Sequence, residues 1–177
     1  MALNYENLDS RTRENMSSEI AHDVASGVLY ISSRLTAEGA KAWPALLAQA
    51  ADSHDDSWLA AQLQARGYLR SHEERRTPKG GVTVAKVPVT ANTTLAEGEF
   101  NRFYARGLCQ RAIADGQRSV VAYRARHSEN PRPESEAIIG KHLEPDALLQ
   151  DLRTSSGVEP ALGLPPGPNS GLSVRLP

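Results

Sequence analysis

Arg66, Arg70, Arg75, Arg76, Lys79 and Lys86 fall within 21 residues of one another, and Arg102 and Arg106 follow at a spacing of four. Arginine forks and lysine ammonium groups at this density suit one chemistry, the binding of phosphate or another polyanion. The cluster belongs to a wider segregation of charge. Residues 61–132 carry 13 Lys/Arg against 6 Asp/Glu, although the whole chain has 20 against 21 and a net charge of −1. Residues 1–60 have 4 basic and 9 acidic side chains, and residues 133–177 have 3 and 6. A basic middle in a neutral chain is the usual footprint of an anion-binding face, most often for nucleic acid.

Other chemistry finds little support. None of the five histidines, His22, His54, His72, His127 and His142, forms an HExxH pair, and no P-loop, G-x-S-x-G or G-x-G-x-x-G occurs. His22-Asp23 and His54-Asp55-Asp56 are the only thinkable metal-ligand pairs, and no metal or other cofactor is expected. The single cysteine, Cys109, excludes an intramolecular disulfide and reads as a small buried hydrophobe rather than a nucleophile. No catalytic residue is assigned, because availability of serine, histidine and acid is not a constellation.

At 177 residues with 40% hydrophobic content, the chain can fill a core. Trp43, Trp58, Phe100, Phe103, Tyr104 and Tyr123 are its large packing units. No apolar run approaches a membrane span, and residues 1–16 are polar and acidic rather than a signal peptide. The expectation is a soluble protein of the cytoplasm, or of a particle assembled there.

The elements that must position the cations read as follows. Residues 1–16 show little periodicity and form either a flexible arm or a short capped turn. Ser17 or Ser18 caps a first helix to Ser26, with Ile20 and Val24 on one face. Residues 28–32 (VLYIS) read as a short strand. Thr36 caps a second helix that Pro44 kinks or restarts, and a third runs from Trp58 to Gly67. Two strands, 69–76 and 82–89, flank a Thr-Pro-Lys-Gly-Gly turn, giving a hairpin with a basic tip.

This order of helix, strand, helix, helix and hairpin, with RGYL at residues 66–69 leading into a Gly-Gly turn, resembles a winged-helix domain over residues 17–89. The resemblance implies a third helix in the major groove and a hairpin wing on the DNA backbone. His54-Asp55-Asp56 runs against direct DNA reading, since two carboxylates would stand at the start of that helix beside a polyanion. The same acids complement the positive end of a helix dipole.

From residue 94 a second small unit begins. Thr94 and Glu97 have capping-box spacing, and Phe100, Phe103, Tyr104, Leu108, Ala112 and Ile113 form the stripe of a long helix ending at Asp115-Gly116. Arg102 and Arg106 either clamp an anion together with Arg111 or Arg124, or pair with Glu97 and Glu99 on their own helix. A strand at 119–125, a stiff loop holding Arg132 and a short helix at 145–153 complete this unit. Five prolines and three glycines in residues 160–177 make an apolar, extended tail that docks on a partner, folds back on its own domain, or stays disordered.

The expected class is thus α+β: a winged-helix-like half (17–89), a helix-strand-helix unit (94–153) packed on it, and a Pro/Gly-rich tail. The favoured function is non-catalytic nucleic-acid binding through the basic hairpin and the arginine-bearing helix. The alternative is a structural subunit of a phage particle or other large complex, whose tail docks on a neighbouring subunit. The basic middle makes one face only if the two units pack to bring its parts together.

Overall fold

The computed structural model describes residues 3–78, 80–127, 133–155 and 171–177. Lys79, Arg132 and residues 156–170, on which several expectations fall, lie outside these. In chain order the elements are α1 (Ser10–Ala25), α2 (Ala37–Ser53), α3 (Asp56–Ala65), β1 (His72–Arg76), β2 (Val82–Lys86), α4 (Ala91–Ala114), β3 (Val120–Arg124), α5 (Pro133–Glu136), β4 (His142–Leu143), α6 (Pro145–Thr154) and β5 (Leu172–Arg175). Among the described residues the architecture is mixed helix and strand, with two small antiparallel sheets, β1-β2 and β4-β3-β5.

The centre is α4, of whose 24 residues 14 are buried. The stripe of Phe100, Phe103, Tyr104, Leu108 and Ala112 is entirely inside. Helices α1, α3 and α6 pack around it, and α2, β3 and β5 also touch it. One apolar core therefore runs from Met16 of α1 to Val174 of β5. Burial on nearly every face is why α4 has no polar side to mark it as amphipathic. Among the described residues no helix is long and apolar enough to cross a membrane.

Several boundaries differ from expectation, each for a physical reason. Helix α1 starts at Ser10 rather than in the Ser17 region, because the Asp9 carboxylate accepts the Thr12 N–H at 3.1 Å and caps it there. Its buried face is Thr12, Met16, Glu19, Ile20 and Asp23, whereas Val24 is exposed. Residues 28–32 form no strand. Val28 N and Leu29 N bond to the Asp23 carbonyl at the end of α1, and the chain pairs only later, through an isolated Leu35–Leu69 bridge. Helix α2 begins after a Thr36 cap and runs through Pro44 without interruption. Helix α4 begins at Ala91, three residues before the expected Thr94 cap, and Glu97 pairs with Arg126 instead of closing a capping box. Of the large aromatics, Trp58 is only half-buried, stacked on His54 with ring centroids 4.2 Å apart.

The end of the C-terminal tail folds back on its own chain. Strand β5 pairs with β3 in the register Val121↔Arg175 to Arg124↔Leu172, and Leu172 and Val174 enter the core.

The crossing of α1 and α4 is close because Gly107 lies in it. A Cβ there would sit 2.8 Å from both the Met16 Cγ and the Met16 backbone N, and 3.0 Å from the Thr12 carbonyl. Two of the three atoms are backbone and cannot rotate away. Gly107→Ala is therefore expected to lose about 1–3 kcal/mol by overpacking, despite alanine's better helix propensity. A urea midpoint equal to or above the parent's would contradict this.

Candidate nucleic-acid interface

The two groups of candidate cations end up in opposite environments. Those of the hairpin and the end of α3 are outside. Arg66, the residue that terminates α3, is exposed and donates its Nε–H to Gln62, one turn back, at 3.0 Å. Arg70, also exposed, donates its Nε to the Leu35 carbonyl at 2.9 Å, which fixes its stem against the neighbouring loop. Arg75, Arg76 and Lys86 are exposed on the arms. Lys79 is outside the described residues.

The hairpin stands clear of the body because sequence and register give it little to bury. In the pairs His72↔Lys86, Glu74↔Val84 and Arg76↔Val82, all six side chains share one face and all are exposed. The other face carries Glu73 and Ala85, both half-buried. Glu73 ties the hairpin to the body: Arg34 approaches it with Nε at 2.6 Å and Nη2 at 3.1 Å, and Arg75 closes on the same carboxylate at 2.6 Å. Those hydrogen bonds, from Arg34 first and Arg75 second, hold the Glu73 carboxyl below the usual range. Arg34 was not among the expected cations. Its signal would have been its place just before the Leu35–Leu69 bridge, a pairing that local sequence does not specify.

Arg102 and Arg106 are corrected by the structure: both are inside the protein, where no phosphate reaches them. Arg102 is 9% exposed, donates to the Leu152 carbonyl at 3.1 Å and lies 3.7 Å from the Glu99 carboxylate. Arg106 is 1% exposed. Its Nε reaches Glu19 at 2.8 Å, and its two Nη atoms grip Asp23 at 2.7 and 2.8 Å. Neither alternative read from the sequence describes Arg106, whose partners are on α1 rather than α4. Glu19 also receives Arg153 at 2.6 and 3.0 Å and Gln110 at 2.9 Å. Burial raises the Glu19 carboxyl, but the hydrogen bonds of Arg153, Gln110 and Arg106 outweigh it and hold the group at about 2. This is an internal ion network that binds α1, α4 and α6 to one another.

Other candidates also have structural work. Asp55 caps α3 by accepting the Trp58 N–H at 2.8 Å, while Asp56 is buried and accepts the Leu3 N–H at 3.1 Å. Asp23 is occupied by Arg106, and His22 leans on it at 3.3 Å. Arg111 pairs with Asp9 at 2.6 Å, and Arg124 pairs with Glu136. Cys109 is fully buried, which pushes its thiol up to about 12 and keeps it protonated at neutral pH. What remains for external chemistry is a set of exposed cations on a projecting hairpin and the adjoining helix end.

No known protein family, curated protein or solved structure matches this chain.

Proposed function

We propose that this chain is a non-catalytic nucleic-acid-binding module, winged-helix-like over residues 17–89, that grips phosphates with its hairpin and the end of α3. The observation that carries this reading is the exposure of Arg66, Arg70, Arg75, Arg76 and Lys86 on a hairpin and helix end that project from the body. Lys79, between the two arms in sequence, is assigned to the same set. Arg102 and Arg106 no longer belong to it. The start of α3 is less hostile to a polyanion than its sequence suggests, since Asp56 is turned inward and only Asp55 remains near the surface. Contacts of this kind position a protein on a backbone without reading bases.

The test is fluorescence anisotropy on a labelled duplex and a labelled single strand across a salt series. Each phosphate contact contributes about −0.9 to the slope of log affinity against log salt on duplex DNA. The variant Arg75→Gln/Arg76→Gln/Lys86→Gln is expected to flatten that slope by about three units. Absence of binding to either probe at low salt would overturn the reading.

The alternative, a structural subunit of a phage particle or other large complex, draws on one specific observation. Val82, Val84 and Val89 are 64%, 67% and 97% exposed, and a two-stranded hairpin bare on one apolar strand is marginal in water without a cover. Tail docking, the route first expected for such assembly, has lost residues 172–175 to the chain's own sheet. Light scattering of wild type and Val84→Glu separates the two. A concentration-dependent oligomer that Val84→Glu dissolves supports assembly, and a monomer in both removes it.

A further inference from the structure

Between the loop that follows α1, strand β1 and the first turns of α4 lies a cavity of about 270 Å³, lined by Tyr30, Ser32, Arg34, Glu73, Gly98 and Glu99 among others. It is just below the roughly 300–1,000 Å³ usual for small-molecule sites. Glu99 gives it chemistry. This side chain is 2% exposed, its Oε2 has no hydrogen-bond partner, and its Oε1 has Arg102 only at 3.7 Å. Buried carboxylate oxygens are ordinarily satisfied, because an unpaired one loses its hydration without compensation.

A second observation points the same way. Gly98 lies within α4, where glycine is a poor helix former. A Cβ added there would meet nothing within 4 Å, so packing does not require glycine. Its bare backbone instead leaves room in the cavity wall directly before Glu99. The remaining lining is mixed, with Ala91 and Leu95 beside Ser33 and Thr94, and its other charged pair is already committed, since Arg34 spends its Nε and Nη2 on Glu73. Among the lining side chains the one with a buried atom wanting a partner is Glu99, an acceptor, and the strongest partner for a desolvated carboxylate is a charged N–H donor.

We propose that this cavity is a binding site for a small organic cation, an alkylammonium or alkylguanidinium, whose charged head bonds to the Glu99 carboxylate while Gly98 makes room for its stem. Burial pushes the Glu99 carboxyl up to about 7, against the lowering pull of Arg102 and Arg106 and with a smaller raising contribution from Asp23. Across the cavity stand Arg34 and Glu73, paired to each other. A cation that binds the ionised form therefore expels a proton near neutrality, and its affinity rises from about pH 6 to about pH 8.

The experiment is calorimetric titration of the full chain with butylammonium and with methylguanidinium chloride, in two buffers of different ionisation enthalpy, with butanol as the neutral counterpart. Expected are saturable binding of at least one cation, proton release at pH 7, and at least tenfold weaker binding in both Glu99→Gln and Gly98→Leu. Gly98→Leu keeps the buried carboxyl, and its Cβ enters space with no atom within 4 Å, so it decides the matter if Glu99→Gln folds poorly. No saturable binding of either cation, equal binding of butanol, or undiminished binding by Gly98→Leu would overturn the proposal. No nucleic acid enters this experiment, so its failure leaves the phosphate-binding reading standing, and the reverse holds as well.

Discussion

Arg106→Met is expected to cost about 3–5 kcal/mol of folding stability, enough to unfold a large fraction of a protein of ordinary marginal stability. The argument rests on what is left behind. Glu19 retains Arg153 and Gln110, but Asp23 loses both of its guanidinium bonds and keeps only His22 at 3.3 Å. Asp23 is 7% exposed, so its charge becomes a buried one without compensation. Arg106→Lys should recover little, since one ammonium cannot span both carboxylates as the fork does. Arg106→Met/Asp23→Leu should recover much of the loss, because an apolar replacement of a buried pair is often neutral or better. Urea unfolding of the three variants measures this directly. A loss below about 1 kcal/mol in Arg106→Met would mean the network is solvated and contributes as little as a surface pair.

The same network gives the acid limb of stability. Glu19 sits at about 2 in the folded protein against an ordinary 4.5, and the Asp9 and Asp23 carboxyls are likewise held down. A carboxyl lowered by folding contributes stability that is complete above its unfolded value. That contribution is lost as pH falls through the folded one, here from about 4.5 to about 2 for Glu19.

The network also marks the limit of what local sequence could say. The stop of α3 at Gly67, the apolar stripe of α4, strand β3 and helix α6 are written in short-range patterns, and they stand within a few residues of where those patterns put them. Helix α1 is longer than its apolar pattern suggests, because Thr12, Glu19 and Asp23 occupy its buried face and hydrophobic periodicity fades there. Arg102 and Arg106 read as a basic surface face for the complementary reason. Arg106 finds its carboxylates 83 and 87 residues away in sequence, and nothing local announces that they will meet. A charged residue reveals its sign in sequence but not its partner, and partner decides whether it belongs to the core or the surface. The hairpin cations were legible as exposed because β1 and β2 contain too few apolar residues to bury either face fully. The Glu99 cavity was not legible at all, since Arg34, Glu73 and Glu99 come from three separate stretches of chain, a loop, β1 and α4.

Wild-type stability is expected to fall by about 3 kcal/mol between about pH 4.5 and about pH 7 on account of Glu99 alone, and Glu99→Gln to abolish that part of the fall. In this window the folded Glu99, at about 7 against an ordinary 4.5, keeps its proton while the unfolded chain has released it. The folded state thus binds more protons, and stability declines as pH rises. The decline is complete once the folded group itself ionises. Asp56 and Glu97, both raised chiefly by burial, slope the same way, so Glu99→Gln should flatten the profile without making it level. With the acid limb of Glu19 on the other side, maximum stability belongs in the mildly acidic range rather than at neutrality. Urea unfolding from pH 4 to pH 8 reads the whole curve, and stability that is flat or rising across the range would sink the assignment of a buried, undercompensated Glu99. An occupant cation changes the sign of the argument: by favouring the ionised carboxylate it draws the folded value down, so saturating ligand should restore stability most at the alkaline end, where the empty cavity loses most.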